Sequence, residues 1–486
     1  MEGAEDPRIL RAGTTCWRIE RAERLCVVVD AADYFAAIQE AVGKARHTVF
    51  LIGWDFDTRI KLVPDDDADR PPNQLGRFLS WVVRRRPELQ IYVLKWDLGV
   101  LKTLGRGSTP LVVLNWLTSK RIRFKLDQAH PTGSAHHQKI VVIDDSLAFC
   151  GGIDMTADRW DTREHPDDDP RRVRPTTKRR YGPWHDVTTA VDGDAARALG
   201  ELARERWKRA TGEDVPPSPS VDDAWPDRLE PTLTKTDVAL SRTLPEYDGH
   251  AAVHEVEALY LAVIAATKRT LYIESQYFAS RKIVEAMAKR LRAPNGPEIV
   301  IINPDTADGW LEEEVMGSAR ARLLRVIRKA DVHGRFRIYT PVTTGGAPIY
   351  VHAKVLVMDD RLLRVGSSNL NNRSLGFDTE CDLSVEAPPG ESDALRRRIA
   401  GLRNDLLAEH LGVDVAAVET ALRRHDNSLV AAIEELRGKG RTLVPFVPPD
   451  LNAIEEDVLA ENDLLDPERP SRGWRRVSIR NVFART

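Results

Sequence analysis

Two histidines, His137 and His352, each stand two residues before a lysine and seven before an aspartate. The strings are "HQKIVVID" and "HAKVLVMD", so His137, Lys139 and Asp144 are matched by His352, Lys354 and Asp359, 215 residues further on. Fourteen residues after each histidine comes a glycine, Gly151 and Gly366, and seventeen after it a polar residue, Asp154 and Asn369. On a strand, residues two apart share a face, so each histidine–lysine pair, read as part of its hairpin strand, can address one ligand. The aspartates fall at a hairpin turn and are expected to fix it rather than to touch that ligand.

If the two copies face each other, two imidazoles and two ammonium groups converge on one anion. A phosphodiester suits that constellation, with one negative charge and two non-bridging oxygens for Lys139, Lys354 and Asn369 to hold. One imidazole can attack phosphorus while the other protonates the departing alkoxide. The lysines then offset the charge growing on the equatorial oxygens. Each imidazole also needs an acceptor on its second nitrogen. Asp186 in "PWHDVTTAV" and Glu380 in "FDTECDLSV" occupy matching places late in each copy and are expected to supply it. Asp154, a carboxylate where the other copy has Asn369, should not bind the anion, which makes Asn369 the favoured phosphate ligand. The chemistry needs no metal and no cofactor.

The elements that must position these groups also occur twice. "ADYFAAIQEAVGKAR" sets Tyr34, Phe35, Ile38 and Val42 on one helical face and feeds the strand "HTVFLIGWDFD". "HEVEALYLAVIAATKR" does the same with Val256, Leu259, Tyr260 and Val263 before "TLYIESQYF". Further strands follow in the same order, "LQIYVLKWD" and "EIVIINP", then "RIRFKLD" and "FRIYTPV", then the two hairpins with their Asp-Asp turns. An internal duplication is implied, as an α/β fold of two α-β-α halves about a pseudo-twofold axis, with C-terminal helices added. The expected limits are a first half at 1–215, a connector and start of the second half at 216–245, a second half at 246–412, and a helical extension with a Pro-rich tail at 413–486. The connector is placed by its prolines and charges, "VPPSPSVDDAWPDRLEPT".

Composition narrows the class. The 486 residues are 42% hydrophobic and 30% charged, with a formal net charge of −3, which gives no general attraction to nucleic acid. Four scattered cysteines show neither a C-x-x-C pair nor zinc spacing, so a reduced protein without structural metal is expected, in the cytoplasm or at the face of a membrane. The N-terminus "MEGAEDPRILRAG" does not read as a signal peptide, and no apolar run is long enough to span a bilayer.

These paired motifs resemble those of the phospholipase D superfamily. The likeness runs from about Thr48 to Gly412, where "LIGWDFD", "GGIDM", "RWDTREHP", "RWKRATG", "YIESQYF", "GSSNLNNRS" and "EHLG" also occur in family order. It is strongest to the catalytic core of eukaryotic-type enzymes. The resemblance implies release of a head-group alcohol from a glycerophospholipid, with water or an alcohol as acceptor, at a membrane surface. It also implies that His137 is the nucleophile and His352 the acid/base. About thirty residues precede the first helix, so the calcium-dependent or lipid-binding modules of plant and animal relatives are not carried over. A cardiolipin-synthase-type transferase is the second reading and a nuclease the third.

Other features carry weaker expectations. Trp54 and Asp55, with Glu274 and Gln276, end paired strands where side chains can line a pocket mouth. His136 and His185 should point away from the site by alternation. The basic run Arg171 to Arg180 is read as a loop balanced by Asp167, Asp168 and Asp169, or else as a patch for anionic head groups. Leu429, Ile433 and Leu436 are read as core cover.

Overall fold

The computed structural model describes residues 7–64, 71–97, 120–219, 223–306, 318–387 and 393–447, and in it one large central sheet runs through both halves, beside a separate two-stranded sheet. The first half comprises β1 (Arg18–Val29), α1 (Ala31–Lys44), β2 (Thr48–Gly53), α2 (Leu75–Arg85), β3 (Gln90–Trp96), β4 (Ile122–Asp127), β5 (Ile140–Ile143), β6 (Leu147–Gly151), β7 (Trp184–His185), β8 (Val187–Asp192) and α3 (Gly193–Thr211). The second begins with β9 (Leu233–Leu244), β10 (Val253–His254), α4 (Glu255–Ala266), β11 (Thr270–Glu274), α5 (Arg281–Arg292), β12 (Glu298–Ile302), α6 (Ser318–Ala330) and β13 (Phe336–Val342). It continues through β14 (Tyr350–Val351), β15 (Val355–Met358), β16 (Leu362–Gly366), α7 (Asn372–Gly376), β17 (Glu380–Glu386) and α8 (Asp393–Leu411), followed by α9 (Val415–Arg424), α10 (Leu429–Leu436) and β18 (Thr442–Pro445).

The strand order is β18-β13-β12-β11-β15-β16-β17-β9-β1-β8-β6-β5-β2-β3-β4, with β10 beside β9. Counted outward from the central β1–β9 pair, the two sides repeat the same succession, so the duplicated α/β fold is built about a pseudo-twofold axis through that pair. The outer strands β2, β3 and β4 run parallel, as do β11, β12 and β13. The hairpins β5–β6 and β15–β16 are antiparallel. Helices cover both faces, which is why strands such as "IVVI" and "VLVM" are buried throughout instead of alternating. On one face α1 packs Tyr34, Phe35, Ile38 and Val42 into the core of the first half, and α4 packs Val256, Leu259, Tyr260 and Val263 into that of the second. On the other face α3 and α8 occupy equivalent places, and α9 and α10 extend the second with Leu429 and Ile433 buried.

The 12-residue strands β1 and β9 were not legible as strands in the sequence, although they join the halves. Their exposed charged positions, such as Arg21, Glu23, Lys235 and Asp237, interrupt the apolar pattern that marks the other strands. The connector is packed rather than free: Trp225 and Leu229 enter the first core, and the Trp225 indole donates to the Leu229 carbonyl at 2.8 Å. The tail from 448 onward lies outside the described residues. No helix among the described residues is long and apolar enough to cross a membrane.

Local chemistry fixes the hairpins. Asp144 and Asp145 have φ of 52° and 52°, and Asp359 and Asp360 have 50° and 54°, the positive pair that a mirror-image turn requires and that Asp tolerates. The first aspartate of each pair also accepts three backbone N–H groups of the preceding helix–strand junction. Asp144 takes those of Arg46, His47 and Thr48, each at 2.7 Å, and Asp359 takes those of Lys268, Arg269 and Thr270 at 2.7 to 2.8 Å. The motif aspartates therefore clamp β5 to β2 and β15 to β11. Glycine at 151 and 366 follows from close backbone approach: a Cβ there would lie 2.4 Å from the Thr188 Cα and 2.6 Å from the Asp382 Cα. Asp144→Asn keeps the turn's φ but puts an amide donor against those N–H groups. It is expected to cost about 2 kcal/mol of unfolding free energy, with Asp359→Asn costing less because its bonds are more exposed. Urea unfolding of the two variants checks both the size and the order.

Candidate active site

The histidine–lysine segments do not lie within strands. His137–Lys139 and His352–Lys354 are extended stretches just before β5 and β15, and each is held by the opposite half. The N–H of His352 donates to the His185 carbonyl at 2.8 Å, and β14 pairs in parallel with β7. In the mirror arrangement the N–H of His137 donates to the Thr379 carbonyl at 3.0 Å, and His136 bridges Thr379 in parallel. One residue beyond each acceptor stands a carboxylate. Asp186 Oδ2 lies 2.7 Å from His352 Nδ1, and the two oxygens of Glu380 lie 3.0 and 3.1 Å from His137 Nδ1. Each imidazole thus takes its orienting acceptor from the other half, leaving both Nε2 atoms for chemistry.

Lys139 Nζ donates to the His137 carbonyl at 2.9 Å and pairs with Asp154 at 3.2 Å. Lys354 Nζ donates to the His352 carbonyl and to Gln276 Oε1, the latter at 3.3 Å. The lysines therefore reach back beneath their own histidines, and their supports differ, a carboxylate in one half and an amide in the other. Asp154 also accepts the Trp54 N–H at 3.0 Å, and the Trp54 ring stacks on Trp96. Gln276 is fixed by donating to Tyr277 and Tyr350. Asn369 is buried, and its side-chain oxygen has no hydrogen-bond partner among the described residues.

Burial sets the electrostatics. His137 is pushed well below the usual imidazole range by burial and then by Lys139 and Lys354. His352 is pushed down likewise, by burial and then by Lys354, Arg159 and Lys139. Each imidazole feels the lysine of the opposite motif, so the four groups share one site. Lys354 comes down to about 7, chiefly through burial with Lys139 adding, while burial lifts Asp186 to about 6 and Glu380 to about 8. Burial thus works against the charged forms of both imidazoles, of Lys354 and of both orienting carboxyls, the kind of perturbation that gathers at functional sites.

Three neighbours escaped sequence reading. Ser367 donates its hydroxyl to Glu380, Trp184 stacks on Tyr350 and tilts against His352, and the buried Arg159 guanidinium lies 4.2 Å over the Trp184 ring. The only sequence signal was their place inside "RWDTREHP", "PWHDV" and "GSSNLNNRS". Two expected pocket-mouth residues are instead interior. Glu274 is fully buried and bonded to His185 and His410, and Asp55 is paired with Lys95 at 2.6 Å, because both turn into the layer behind the strand ends. His136 and His185 face away from the site, toward Asp127 at 3.1 Å and Glu274 at 2.9 Å. In the basic loop Arg171 pairs with Asp169, Arg172 with Asp161, Arg174 with Asp158 and Arg180 with Asp168, while Lys178 and Arg179 are exposed.

The family model for Phospholipase D matches residues 41–284, half of the chain, and that for Cardiolipin synthase, PLD-like domain, matches residues 260–400. The chain belongs to the phospholipase D superfamily. It is 25% identical over 474 residues to Phospholipase D A of Dictyostelium discoideum, covering 79% of this chain and 35% of that protein. It is 22% identical to Phospholipase D alpha 4 of Arabidopsis thaliana, covering 80% of this chain and 65% of that one. The chain thus spans between about a third and two thirds of these superfamily members. In fold it is similar to the phosphatidylserine synthase of Haemophilus influenzae Rd KW20, with a TM-score of 0.54 and 13% identity over 85% of this chain and 97% of that one.

The electrostatics of this superfamily site have a measurable sign. Lys354 carries its charge below about 7, and Glu380 gains a negative charge above about 8. Binding of tungstate, followed calorimetrically, is expected to weaken by about tenfold or more as pH rises from about 6 to about 9. In Lys354→Met binding should be weak throughout, with a flatter profile.

Proposed function

We propose that the protein is a phospholipase D, cleaving the head-group phosphodiester of glycerophospholipids and passing the phosphatidyl group to water or an alcohol. The observation that carries this reading is the crossed pair of imidazole–carboxylate contacts around two lysines. It supplies two separately oriented imidazoles on one anion, which in-line displacement through a covalent intermediate demands. The similarity to phospholipases D supports the same substrate class.

In the reacting form, Glu380 holds the Nδ1 proton of His137, so the Nε2 lone pair attacks phosphorus. The N–P bond forms as the P–O bond to the head-group alcohol breaks. His352, held as the imidazolium once the phosphodiester anion lies beside it, gives the Nε2 proton to the leaving oxygen, and Asp186 holds the ring through Nδ1. Lys139 and Lys354, with the Asn369 amide, stabilise the charge on the non-bridging oxygens. His352, now neutral, takes a proton from water or an alcohol as that oxygen attacks the phosphohistidine and frees His137. The near symmetry of the site permits the opposite assignment of roles; the resemblance favours His137 as nucleophile.

The match of residues 260–400 to the cardiolipin synthase description favours a second reading, in which phosphatidylglycerol is both donor and acceptor. It uses the same intermediate and differs only in the alcohol admitted. The formal charge of −3, and the pairing of Arg171, Arg172, Arg174 and Arg180 with carboxylates, argue against a nucleic-acid substrate. A membrane-surface setting follows from the substrate class.

Vesicles of mixed phospholipids, with and without ethanol, are to be incubated with the protein and the products read by mass spectrometry. Phosphatidic acid alone, giving way to phosphatidylethanol when ethanol is added, is the expected outcome. Neither product should form with His137→Ala, and His352→Asn should lower kcat by about 10² to 10⁴. Formation of cardiolipin from phosphatidylglycerol alone would establish the second reading, and absence of all three products would overturn both.

A further inference from the structure

Behind the site, on the far side of β7, four side chains from distant parts of the chain converge: Asp30 at the end of β1, His165, His185 on β7, and Glu409 on α8. Their exposures are 1%, 1%, 0% and 5%, so bulk water does not solvate the cluster. One nitrogen or oxygen from each lies within 4.8 Å of all the others. The individual separations are 2.8 Å from His185 Nδ1 to Glu409 Oε1 and 3.2 Å from His165 Nε2 to the same oxygen. Asp30 lies 3.3 Å from His185 Nδ1 through Oδ1 and 3.5 Å from His165 Nε2 through Oδ2. Ligand arms of about 2.0–2.1 Å in a regular tetrahedron give edges of about 3.3 Å, close to the two histidine–Glu409 separations and to the approach of each Asp30 oxygen to its own histidine.

Two further observations point to a ligand at the centre. Despite these short approaches, His185 Nδ1 and Asp30 Oδ2 make no hydrogen bond among the described residues, although both are buried. Each histidine also turns its other nitrogen to a carboxylate: His165 Nδ1 lies 2.9 Å from Asp161, and His185 Nε2 lies 2.9 Å from Glu274. Those carboxylates are themselves fixed, Asp161 by Arg172 and the Trp184 N–H, Glu274 by Tyr272 and His410. Imidazoles that ligate metals are held in this way, with the outer carboxylate setting the tautomer and leaving the inner nitrogen as donor. Asp30 and His165 adopt φ of 64° and 42°, backbone that ordinary residues hold only where their surroundings enforce it.

We propose that Asp30, His165, His185 and Glu409 form a buried tetrahedral site for a divalent first-row metal ion, with Zn²⁺ the best match to two imidazoles and two carboxylates. The site has a structural role. It ties β1, β7 and α8 together, and Asp30 also accepts the Asp186 N–H at 3.1 Å while its own N–H donates to the Asp186 carbonyl at 2.8 Å. The ion would thereby fix the segment that carries Asp186 and whose His185 carbonyl receives the His352 N–H.

The full chain, expressed with zinc in the medium and desalted, is expected to hold about one zinc per chain by elemental analysis. X-ray absorption at the zinc edge should show a nitrogen and oxygen shell at about 2.0–2.1 Å with imidazole scattering and no sulfur. Removal of the ion by a chelator should lower the thermal midpoint, and zinc should restore it. Asp30→Asn with His165→Ala should lose the metal, and Asp161→Asn should weaken its binding by about 10- to 100-fold. A wild-type chain that stays metal-free after zinc is supplied, with an unmoved midpoint, would overturn the proposal and assign two imidazolium protons to the ion's place. Zinc kept equally by the folded double variant would overturn it too. Where that variant does not fold, the wild-type absorption spectrum decides: a sulfur-containing or all-oxygen shell is incompatible with this site.

Discussion

Each imidazole of the site takes its Nδ1 acceptor from the other half of the molecule, and this exchange constrains most of what surrounds it. Asp186 can reach His352, and Glu380 can reach His137, only if the segments before β5 and β15 lie parallel to the segments before β8 and β17 across the axis. That placement requires the sheet to be continuous through β1 and β9, since a slip of one residue there would turn the facing side chains over. The central strands and the site therefore depend on the same register. The two halves cannot drift apart without losing both orienting contacts at once.

The second constraint is electrostatic. Two lysines, two imidazoles and two carboxylates occupy a volume from which water is mostly excluded, and burial opposes the charged form of both imidazoles, of Lys354 and of both carboxylates. Burial moves the carboxyls up and the imidazoles down, so each histidine–carboxylate pair is poised to move a proton rather than to hold a fixed charge. The two lysines are not equivalent. Lys139 leans on the carboxylate of Asp154, whereas Lys354 has only the amide of Gln276 and the nearby carboxylates, and it is Lys354 that burial brings down to about 7. A duplicated scaffold has become chemically asymmetric through the exchange of a carboxylate for an amide at one matched place, Asp154 against Asn369, with Lys354 taking its support from Gln276 on another element instead.

Behind this lies a layer of buried charge that the sequence offered no way to anticipate. Asp30, His165, His185 and Glu409 come from four separated segments, so no short spacing could mark them as a cluster. They nevertheless bear on the site, since His185 sits between Trp184, which packs against His352, and Asp186, which orients it.

The sequence by itself determined the duplication, the helices and apolar strands of each half, the Asp-Asp turns and the two histidine–lysine pairs. All of these are local patterns: periodicity, turn chemistry and repeated spacing are written in consecutive residues. It also placed Asp186 and Glu380 as matched carboxylates, but not the crossing by which each serves the opposite half. That crossing, the central position of β1 and β9, the inward turn of Glu274 and Asp55, and the neighbours Ser367, Arg159 and Trp184 were decided by tertiary structure alone. The physical reason is that they depend on which surfaces meet after the chain has closed over more than two hundred residues, and contacts of that range leave no period or spacing along the chain.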